Sequence, residues 1–354
     1  MKKVLVAMSG GVDSSVAALI MKKAGYEVIG AFMKNWSDTK NDMGECTWRG
    51  ERRVAIKIAA MLGIPLVTLD FEKEYKSQVV SEMFKLYSKG ITPNPDIDCN
   101  DKIKFPLLLK AAEKLKCDYL VTGHYVRNKN GKLYRGKDET KDQSYFLYRI
   151  KQKELEKTIF PIGDYTKIQI RDMAKKNNFP NYDKKGTVGI CFIGKLNLKK
   201  FLQKKIKAKK GKILDPKGNR IGEHDGIYYY TIGQRIGPRY GIEIIKKNEK
   251  RQSKWYVARK DAKKNIIVAA PEGHKLNFRK QLYLTNLHWI GKKPKDNSKI
   301  HARIRHVGEL LPCKINFGLK TKITLGKGIT GVSEGQACVL YSGKECIGGG
   351  VIGF

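Results

Sequence analysis

The chain has 354 residues, with 71 lysines and arginines against 34 aspartates and glutamates, a formal net charge of +37. With 41% hydrophobic residues it can bury a core, which excludes a wholly disordered chain, and its length favours two or three domains. The charge fits either a polyanionic partner such as a nucleic acid or a lysine-biased proteome with solvated side chains.

The first part of the chain alternates strands with helices. We predict strands over 2–8, 26–33, 64–71 and 119–122, and helices over 14–23, 52–62, 74–88 and 103–116. The first strand, the first helix and the second strand form one right-handed βαβ unit. Continued alternation predicts an α/β fold, with a parallel sheet covered by helices on both faces.

The pattern changes near residue 200. Residues 195–212 carry nine lysines and no acid, and Leu198, Phe201, Leu202 and Ile206 fall at helical spacing. This segment predicts an amphipathic helix whose basic side is either solvated or a nucleic-acid backbone contact. From Gly211 onward, short alternating segments with glycine turns predict small β-barrels. We therefore predict three domains: α/β over 1–200, central β-rich over 201–275, and a C-terminal β-barrel over 276–354.

A glycine- and serine-rich loop, SGGVDSS over 9–15, lies between the first strand and the first helix. Backbone N–H groups, a helix N-terminus and serine hydroxyls together make an anion site. The loop fits neither the Walker pattern nor the dinucleotide fingerprint. It resembles the PP-loop of the N-type ATP pyrophosphatases, an adenine nucleotide alpha hydrolase-like fold. This resemblance implies cleavage of ATP to AMP and pyrophosphate, with Asp13 near Mg²⁺. The alternative is a plain turn with a serine N-cap.

The cysteines favour packed or reactive thiols over structural crosslinks. The seven cysteines (46, 99, 117, 191, 313, 338 and 346) are odd in number and irregularly spaced, which argues against a disulfide framework or a zinc ribbon.

The apolar N-terminal run ends at SGGVD without the cleavage site of a signal peptide, and no apolar run reaches the ~18 residues of a membrane span. We expect a cytoplasmic protein with no membrane contact, in which the cysteines are reduced. Monomer is the expected state.

Two of the cysteines have suggestive surroundings. Cys99 follows a loop with two prolines, and we expect it just before a helix N-terminus, which would favour its thiolate. Asp96 can serve there as a general acid or base. Cys191 is flanked by glycines in GICFIG. Each is either a packed thiol or part of a pair that passes sulfur through a persulfide and closes a disulfide.

Eleven short motifs, in order from residue 4 to about 350, resemble the tRNA-specific 2-thiouridylases. They are SGGVDSS, AFMKNW, GITPNPDIDCN, KIKF, TGHY, KDQSYFL, FPIGDYTK, GICFIG, YTIGQR, WYVARKD and GQACVLY. This resemblance implies ATP-dependent thiolation of C2 of the wobble uridine in Lys, Glu and Gln tRNAs. The C2 oxygen would be adenylated, and sulfur would come from a cysteine persulfide. A cysteine desulfurase or a sulfur-relay protein would supply that sulfur.

The resemblance also implies roles for individual residues. The nucleotide would be held by Ala7, Met8, Ser9, Gly10, Gly11, Val12, Asp13, Ser14, Met33 and Gly123. The target base would meet Asn94, Pro95 and Asp96, with Cys99 as nucleophile and Cys191 as persulfide carrier. The tRNA would contact His124, Lys141, Asp142, Gln143, Arg305, His306 and Gln336.

Three positions depart from the family pattern. Gly186 replaces a carboxylate before Cys191, Asp98 lies beside Cys99 where it should oppose thiolate formation, and His306 replaces a tyrosine. Two alternatives therefore stay open. One is another PP-loop ligase or amidating synthetase, which needs no cysteine pair, and the other is a non-catalytic tRNA-binding protein.

Overall fold

A computed structural model describes residues 1–38, 46–184, 191, 193, 197–237 and 254–353. These residues form three sheets of five, five and eight strands. Within the described ranges, no helix is both long and apolar enough to span a membrane. The structure confirms the predicted α/β domain followed by β-rich domains.

The N-terminal domain is built on a parallel five-stranded sheet in the order β3-β2-β1-β4-β7. Its strands are β1 (Lys3–Ala7), β2 (Glu27–Lys34), β3 (Leu66–Asp70), β4 (Tyr119–Val121) and β7 (Thr158–Ile159). Its helices are α1 (Val12–Lys23), α2 (Thr47–Leu62), α3 (Glu72–Tyr75), α4 (Ser81–Ser88), α5 (Pro95–Asp98), α6 (Phe105–Lys114), α7 (Gln152–Glu156) and α8 (Lys167–Lys176). Val4, Leu5 and Val6 of β1 are fully buried, as expected for a strand covered on both faces.

The helix predicted over 103–116 begins earlier, at Pro95. The side chain of Asn94 accepts a hydrogen bond from the Ile97 N–H at 3.3 Å, and Pro95 occupies the first helical position. Both are favourable at a helix start, because the amide caps an unpaired N–H and proline lacks one. A π-helical stretch, Cys99–Lys104, then joins α5 to α6. Cys99 therefore lies inside a helical segment, and the expectation that it precedes a helix N-terminus is wrong.

The central domain follows α9 (Leu198–Gln203), which Asn197 caps. Its strands are β8 (Gly211–Leu214), β9 (Arg220–His224), β10 (Arg235–Ile236), β11 (Trp255–Asp261) and β12 (Ile266–Pro271), ordered β10-β11-β12-β8-β9. The α9 helix is shorter than predicted. Phe201 stacks on Phe84 of α4 with ring centroids 5.3 Å apart, so its apolar side packs on the N-terminal domain.

The C-terminal domain is a closed antiparallel barrel. Its strands are β13 (Phe278–Trp289), β14 (Lys299–Arg303), β15 (Leu311–Asn316), β16 (Thr321–Thr330), β17 (Ala337–Ser342) and β18 (Glu345–Gly353). Pairing of β13 with β18 closes the ring, and the enclosed core includes Leu282, Ile315 and Ile323. A hairpin of the N-terminal domain, β5 (Val126–Lys129) and β6 (Lys132–Arg135), extends this sheet where Tyr134 pairs with Glu345.

Candidate active site at a phosphate loop and two cysteines

The phosphate loop runs from the end of β1 into α1 and leaves the helix N-terminus open. Gly10 has a φ of +77°, a conformation that favours glycine, and Gly11 is the N-cap, with no side chain to cap the helix. The Ser14 hydroxyl donates to the Gly11 carbonyl at 3.0 Å and accepts from the Ser9 N–H at 3.2 Å. The serines therefore brace the loop itself, and the alternative of a serine N-cap is wrong. An uncapped helix start is a ready site for a phosphate.

Residues distant in sequence support this loop from behind. The Asn181 amide donates to the Gly10 carbonyl at 3.0 Å and to the Ser15 hydroxyl at 3.1 Å. Lys184 pairs with Glu51 at 2.5 Å. Gly123, after β4, passes so close that a Cβ there would lie 2.8 Å from the Ser14 nitrogen. Glycine at 123 thus lets the two loops meet.

Asp13 is engaged by side chains of its own domain. Its Oδ1 accepts a hydrogen bond from Tyr125 at 2.7 Å and lies 2.6 Å from Lys167 Nζ. Across the described ranges, no three His, Cys, Asp or Glu residues cluster so as to hold a metal. Mg²⁺ usually takes one or two carboxylates together with substrate phosphates. These residues are therefore compatible with bound ATP whose Mg²⁺ is held mainly by the phosphates, with Asp13 as one further ligand at most.

Met33 lies near the carboxyl end of β2, where it pairs with Leu69 of β3. Ligands of open α/β sheets bind at this edge, so the position suits its predicted nucleotide contact. Asn35 follows the strand and is 1% exposed, and neither polar atom of its amide has a hydrogen-bond partner in the described structure. A buried, unsatisfied amide at a ligand-binding edge is a functional signal that the AFMKNW motif contained and sequence reasoning missed.

The structure brings Cys99 and Cys191 together. Their sulfurs are 3.8 Å apart, although 92 positions separate them in the sequence, and both are free thiols. The Cys191 N–H donates to Asp96 Oδ1 at 2.8 Å, and the Tyr75 hydroxyl donates to the Cys191 carbonyl at 2.5 Å. A disulfide forms at about 2.0 Å, so a small movement would close one. The position of Gly186, a predicted departure, lies outside the described residues.

The two thiols have opposite electrostatic settings. Burial raises the pKa of Cys99 well above its ordinary value, and the neighbouring Cys191 raises it further. The thiol of Cys99 donates to Cys191 and so lowers the pKa of Cys191. The expectation of a Cys99 thiolate is therefore wrong for this state, and Cys191 is the more acidic thiol.

Asp98 does not act on Cys99 as predicted. Its carboxylate lies 3.2 Å from Lys102, one turn later in the helix, and 3.3 Å from Arg149, which is 51 positions away in sequence, so two cations hold it. The carboxylate that does face the thiols belongs to Asp96. Burial raises the pKa of Asp96, although the Cys191 N–H, Lys104 and His306 oppose that rise. A raised pKa suits the proposed acid–base role.

Three residues predicted to contact tRNA are instead engaged inside the protein. Asp142 is 2% exposed, and its carboxylate accepts from Arg303 of the barrel at 2.7 Å and from the Gly136 N–H. The Asp142 carboxylate thereby anchors the barrel to the N-terminal domain, and the tRNA contact predicted for Asp142 stays a prediction. His124 is also buried, between the Thr122 hydroxyl at 2.8 Å and Lys104 at 3.4 Å. Burial, and Lys104 to a lesser degree, hold the pKa of His124 well below its ordinary value, so the imidazole is neutral. The amide of Gln336 donates to the backbone carbonyls of Thr92 and Pro93.

The other residues predicted to contact tRNA have accessible surface. Lys141 and Arg305 are exposed, and Gln143 and His306 are partly so. The imidazole of His306 hydrogen-bonds the Asp142 carbonyl at 2.9 Å and lies 4.4 Å from the ring of Phe146, centroid to centroid. A planar side chain is therefore held at the edge of the cysteine site, as the prediction of a retained planar ring at position 306 requires.

Sequence reasoning missed several residues that shape the site. They are Asn35, Tyr75, Lys104, Tyr125, Lys167, Asn181 and Lys184. Lys104 and Lys167 belong to the motifs KIKF and FPIGDYTK, so the signal for them was present without a role. Tyr75 carried no local signal, because only the fold places its hydroxyl against Cys191.

Comparison with known proteins covers the whole chain. Residues 2–195 match a tRNA methyl transferase HUP domain model, 199–271 a tRNA methyl transferase PRC-barrel domain model, and 279–352 an aminomethyltransferase beta-barrel domain model. A tRNA-specific 2-thiouridylase MnmA of Methylobacillus flagellatus is 43% identical, covering 99% of this chain and 98% of that protein. Its counterpart in Francisella tularensis subsp. novicida is 40% identical, covering 99% of each chain.

Gly123→Ala should impair nucleotide binding. The added methyl group would collide with the backbone of α1 at Ser14, so the loop or the helix must shift. We expect at least ~tenfold weaker ATP binding, about 1.4 kcal/mol, by calorimetry on the folded variant. Gly50→Ala is the matched control, because a Cβ at that exposed helical position meets nothing within 4 Å. Equal ATP affinity of the Gly123 variant and the wild type would contradict this assignment.

Alkylation should distinguish the two thiols. Since the thiolate is the nucleophile and the pKa of Cys191 is the lower, Cys191 should react with iodoacetamide before Cys99. The alkylation rate of Cys191 should also reach its plateau at a lower pH than the rate of Cys99. Peptide mass spectrometry of the reduced protein over a pH series measures both rates, with buried Cys338 as a slow reference. Faster modification of Cys99 would show that the assignment of acidity is reversed.

Proposed function

The chain belongs to the tRNA-specific 2-thiouridylase family, and we propose that it uses ATP to thiolate C2 of the wobble uridine of tRNA. The observation that carries this proposal is the pair of free thiols 3.8 Å apart, one of them hydrogen-bonded through its backbone to a buried carboxylate. The domain models are named for methyl transfer and the full-length relatives for thiolation. Two adjacent thiols favour thiolation, because they can carry sulfur and accept the resulting disulfide.

Activation is the first step. A uracil C2 carbonyl is a poor electrophile, so its oxygen attacks the α-phosphate of ATP, pyrophosphate leaves, and N3 gives up its proton. The open N-terminus of α1 and the cations Lys167 and Lys184 offset the negative charge that develops on the phosphates. Mg²⁺, held by the phosphates, would supply further charge neutralisation.

The difference in acidity between the two thiols assigns their roles in sulfur transfer. Cys191, the more acidic thiol, carries the persulfide, and its terminal sulfur attacks C2 as AMP leaves. Cys99 then attacks the Cys191 sulfur, the persulfide S–S bond breaks, and its electron pair stays on the sulfur now bound to C2. Protonation of N3 completes 2-thiouridine, and the cysteines are left as a disulfide that an external dithiol reduces. The other route differs only in order, since Cys99 first releases the sulfur as hydrosulfide, which then attacks C2.

Asp96 is suited to move protons in this sequence. Its carboxylate is buried, its pKa is raised, and it accepts the backbone N–H of the persulfide carrier. We propose that it takes the N3 proton during activation and returns it when the thiocarbonyl forms. Asn94 and Pro95 lie at the start of the same helix and would receive the base, which must leave the anticodon stack to arrive there.

The partners follow from the chemistry. The net charge of +37, with exposed Lys141 and Arg305 near the site, supports binding of a tRNA backbone. Lys, Glu and Gln tRNAs are the proposed substrates, and a cysteine desulfurase or a relay protein is the proposed sulfur donor. We further propose that the protein acts as a monomer in the cytoplasm.

Replacement of either active-site cysteine should abolish thiolation. We expect Cys99→Ser and Cys191→Ser each to lower 2-thiouridine formation by at least ~10³-fold, because a hydroxyl can neither carry a persulfide nor close a disulfide. Binding of tRNA should stay within about twofold, since these variants leave the exposed cations Lys141 and Arg305 unchanged. Purified protein, ATP, Mg²⁺, a persulfide source and unmodified tRNA are incubated, and digested tRNA is examined by mass spectrometry.

Cys117→Ser is the matched control, because that cysteine lies outside the site and should be dispensable. Thiolation that survives loss of Cys99 or Cys191 would contradict the two-thiol mechanism. Release of AMP that neither depends on tRNA nor leads to thiolated product would favour another PP-loop ligase. Salt-sensitive tRNA binding with no AMP release would favour a binding protein without activity.

A further inference from the structure

The segment that precedes the base-binding residues, Gly90–Pro93, is held by both β-rich domains. The barrel contributes the Glu334 carbonyl, which accepts the Thr92 N–H at 3.1 Å. It also contributes the Gln336 amide, whose Nε2 donates to the Thr92 and Pro93 carbonyls, each at 2.8 Å. Both hydrogens of that amide are thereby used within the protein.

The central domain holds the same segment from another side. Lys260 of β11 donates to the Gly90 carbonyl at 2.7 Å and to the Tyr230 carbonyl of its own domain at 2.5 Å. The hydroxyls of Thr92 and Thr231 lie 3.3 Å apart. Burial lowers the pKa of Lys260 to about 8. A buried ammonium bonded to two carbonyls is a firm anchor.

Two glycines let the three domains meet at this point. Gly335 has a φ of +86°, and a Cβ there would lie 2.4 Å from the Ile91 side chain. A Cβ at Gly233 would lie 2.4 Å from the Gly331 Cα of the barrel. The motifs YTIGQR and GQACVLY contribute Gly233 and Gly335, so these motifs build the junction of the domains.

We propose that Lys260 and Gln336 are positioning residues, through which the two β-rich domains hold the helix that begins at Pro95 in the position needed for reaction. This inference rests on the proposed function. The held segment continues directly into the Asn94 cap, Asp96 and Cys99, so a shift at Pro93 is passed to the carboxylate and the nucleophile. Both hydrogens of the Gln336 amide are used in these contacts, and the tRNA contact predicted for Gln336 stays a prediction. A tRNA that binds the β-rich domains is thus aligned with the two cysteines through the contacts of Lys260 and Gln336.

Gln336→Glu is the sharpest test, because it keeps the shape of the side chain and replaces the donor with an acceptor that repels two carbonyls. We expect kcat for tRNA thiolation to fall at least ~tenfold while the Kd for tRNA stays within about twofold. Gln281→Glu, at an exposed position of the same barrel, is the matched control with unchanged kcat. Lys260→Met, with exposed Lys263→Met as its control, tests the central-domain side and should give the same pattern.

The measurement separates the possible causes. The kcat is expressed per folded molecule, with the folded fraction taken from thermal unfolding, so loss by unfolding alone would leave kcat unchanged and overturn the proposal. Weaker tRNA binding at unchanged kcat would also overturn it, since Gln336 would then be a tRNA contact. An inactive wild-type protein would contradict the proposed function, whereas equal turnover of wild type and both variants would contradict only the positioning role.

Discussion

The hydrogen bond from the Cys191 N–H to Asp96 Oδ1 is the constraint on which the site depends. It joins a segment after α8 to the first turn of α5, across 95 positions of sequence, at 2.8 Å. That contact brings two sulfurs within 3.8 Å and places a buried carboxylate beside both. Without it, the two thiols would not share a site, and Asp96 would lose a backbone donor that opposes its rise in pKa.

Burial and the hydrogen bond between the two thiols together distinguish their acidities. Cys99 is enclosed by the π-helical stretch and its neighbours, so its charged form is disfavoured until a substrate or a persulfide changes its surroundings. A π-helical turn often marks a functional position in a helix, since it shifts the side chains out of the regular register. Cys191 keeps partial access to solvent, which a sulfur donor requires. Carrier and resolving thiol are thus distinguished by environment alone.

Much of this could be predicted from the sequence, because the signals were local. The strand, glycine loop and helix at the N-terminus, the alternation that gives a parallel sheet and the β-rich remainder all follow from periodicity and turn residues. The surroundings of Cys99 and Cys191 indicate a possible sulfur-passing pair, whereas their individual roles came from family resemblance, since no local pattern assigns them.

The structure differs from the sequence predictions where tertiary contacts determine the environment of a residue. Asn94-Pro95 suggested a loop, although a cap and a proline at the first position equally begin a helix. Asp142 is charged, and its burial depends on Arg303, 161 positions away. The acidity of Cys99 depends on enclosure, which its neighbours in sequence do not reveal.

The most direct test follows the two sulfurs through one turnover. Protein loaded with persulfide is mixed with tRNA and ATP without reductant, and quenched samples are analysed for 2-thiouridine and for the Cys99–Cys191 peptide pair by mass spectrometry. We predict one disulfide between these cysteines for each thiolated uridine. Formation of 2-thiouridine while both cysteines remain free thiols would contradict the central claim.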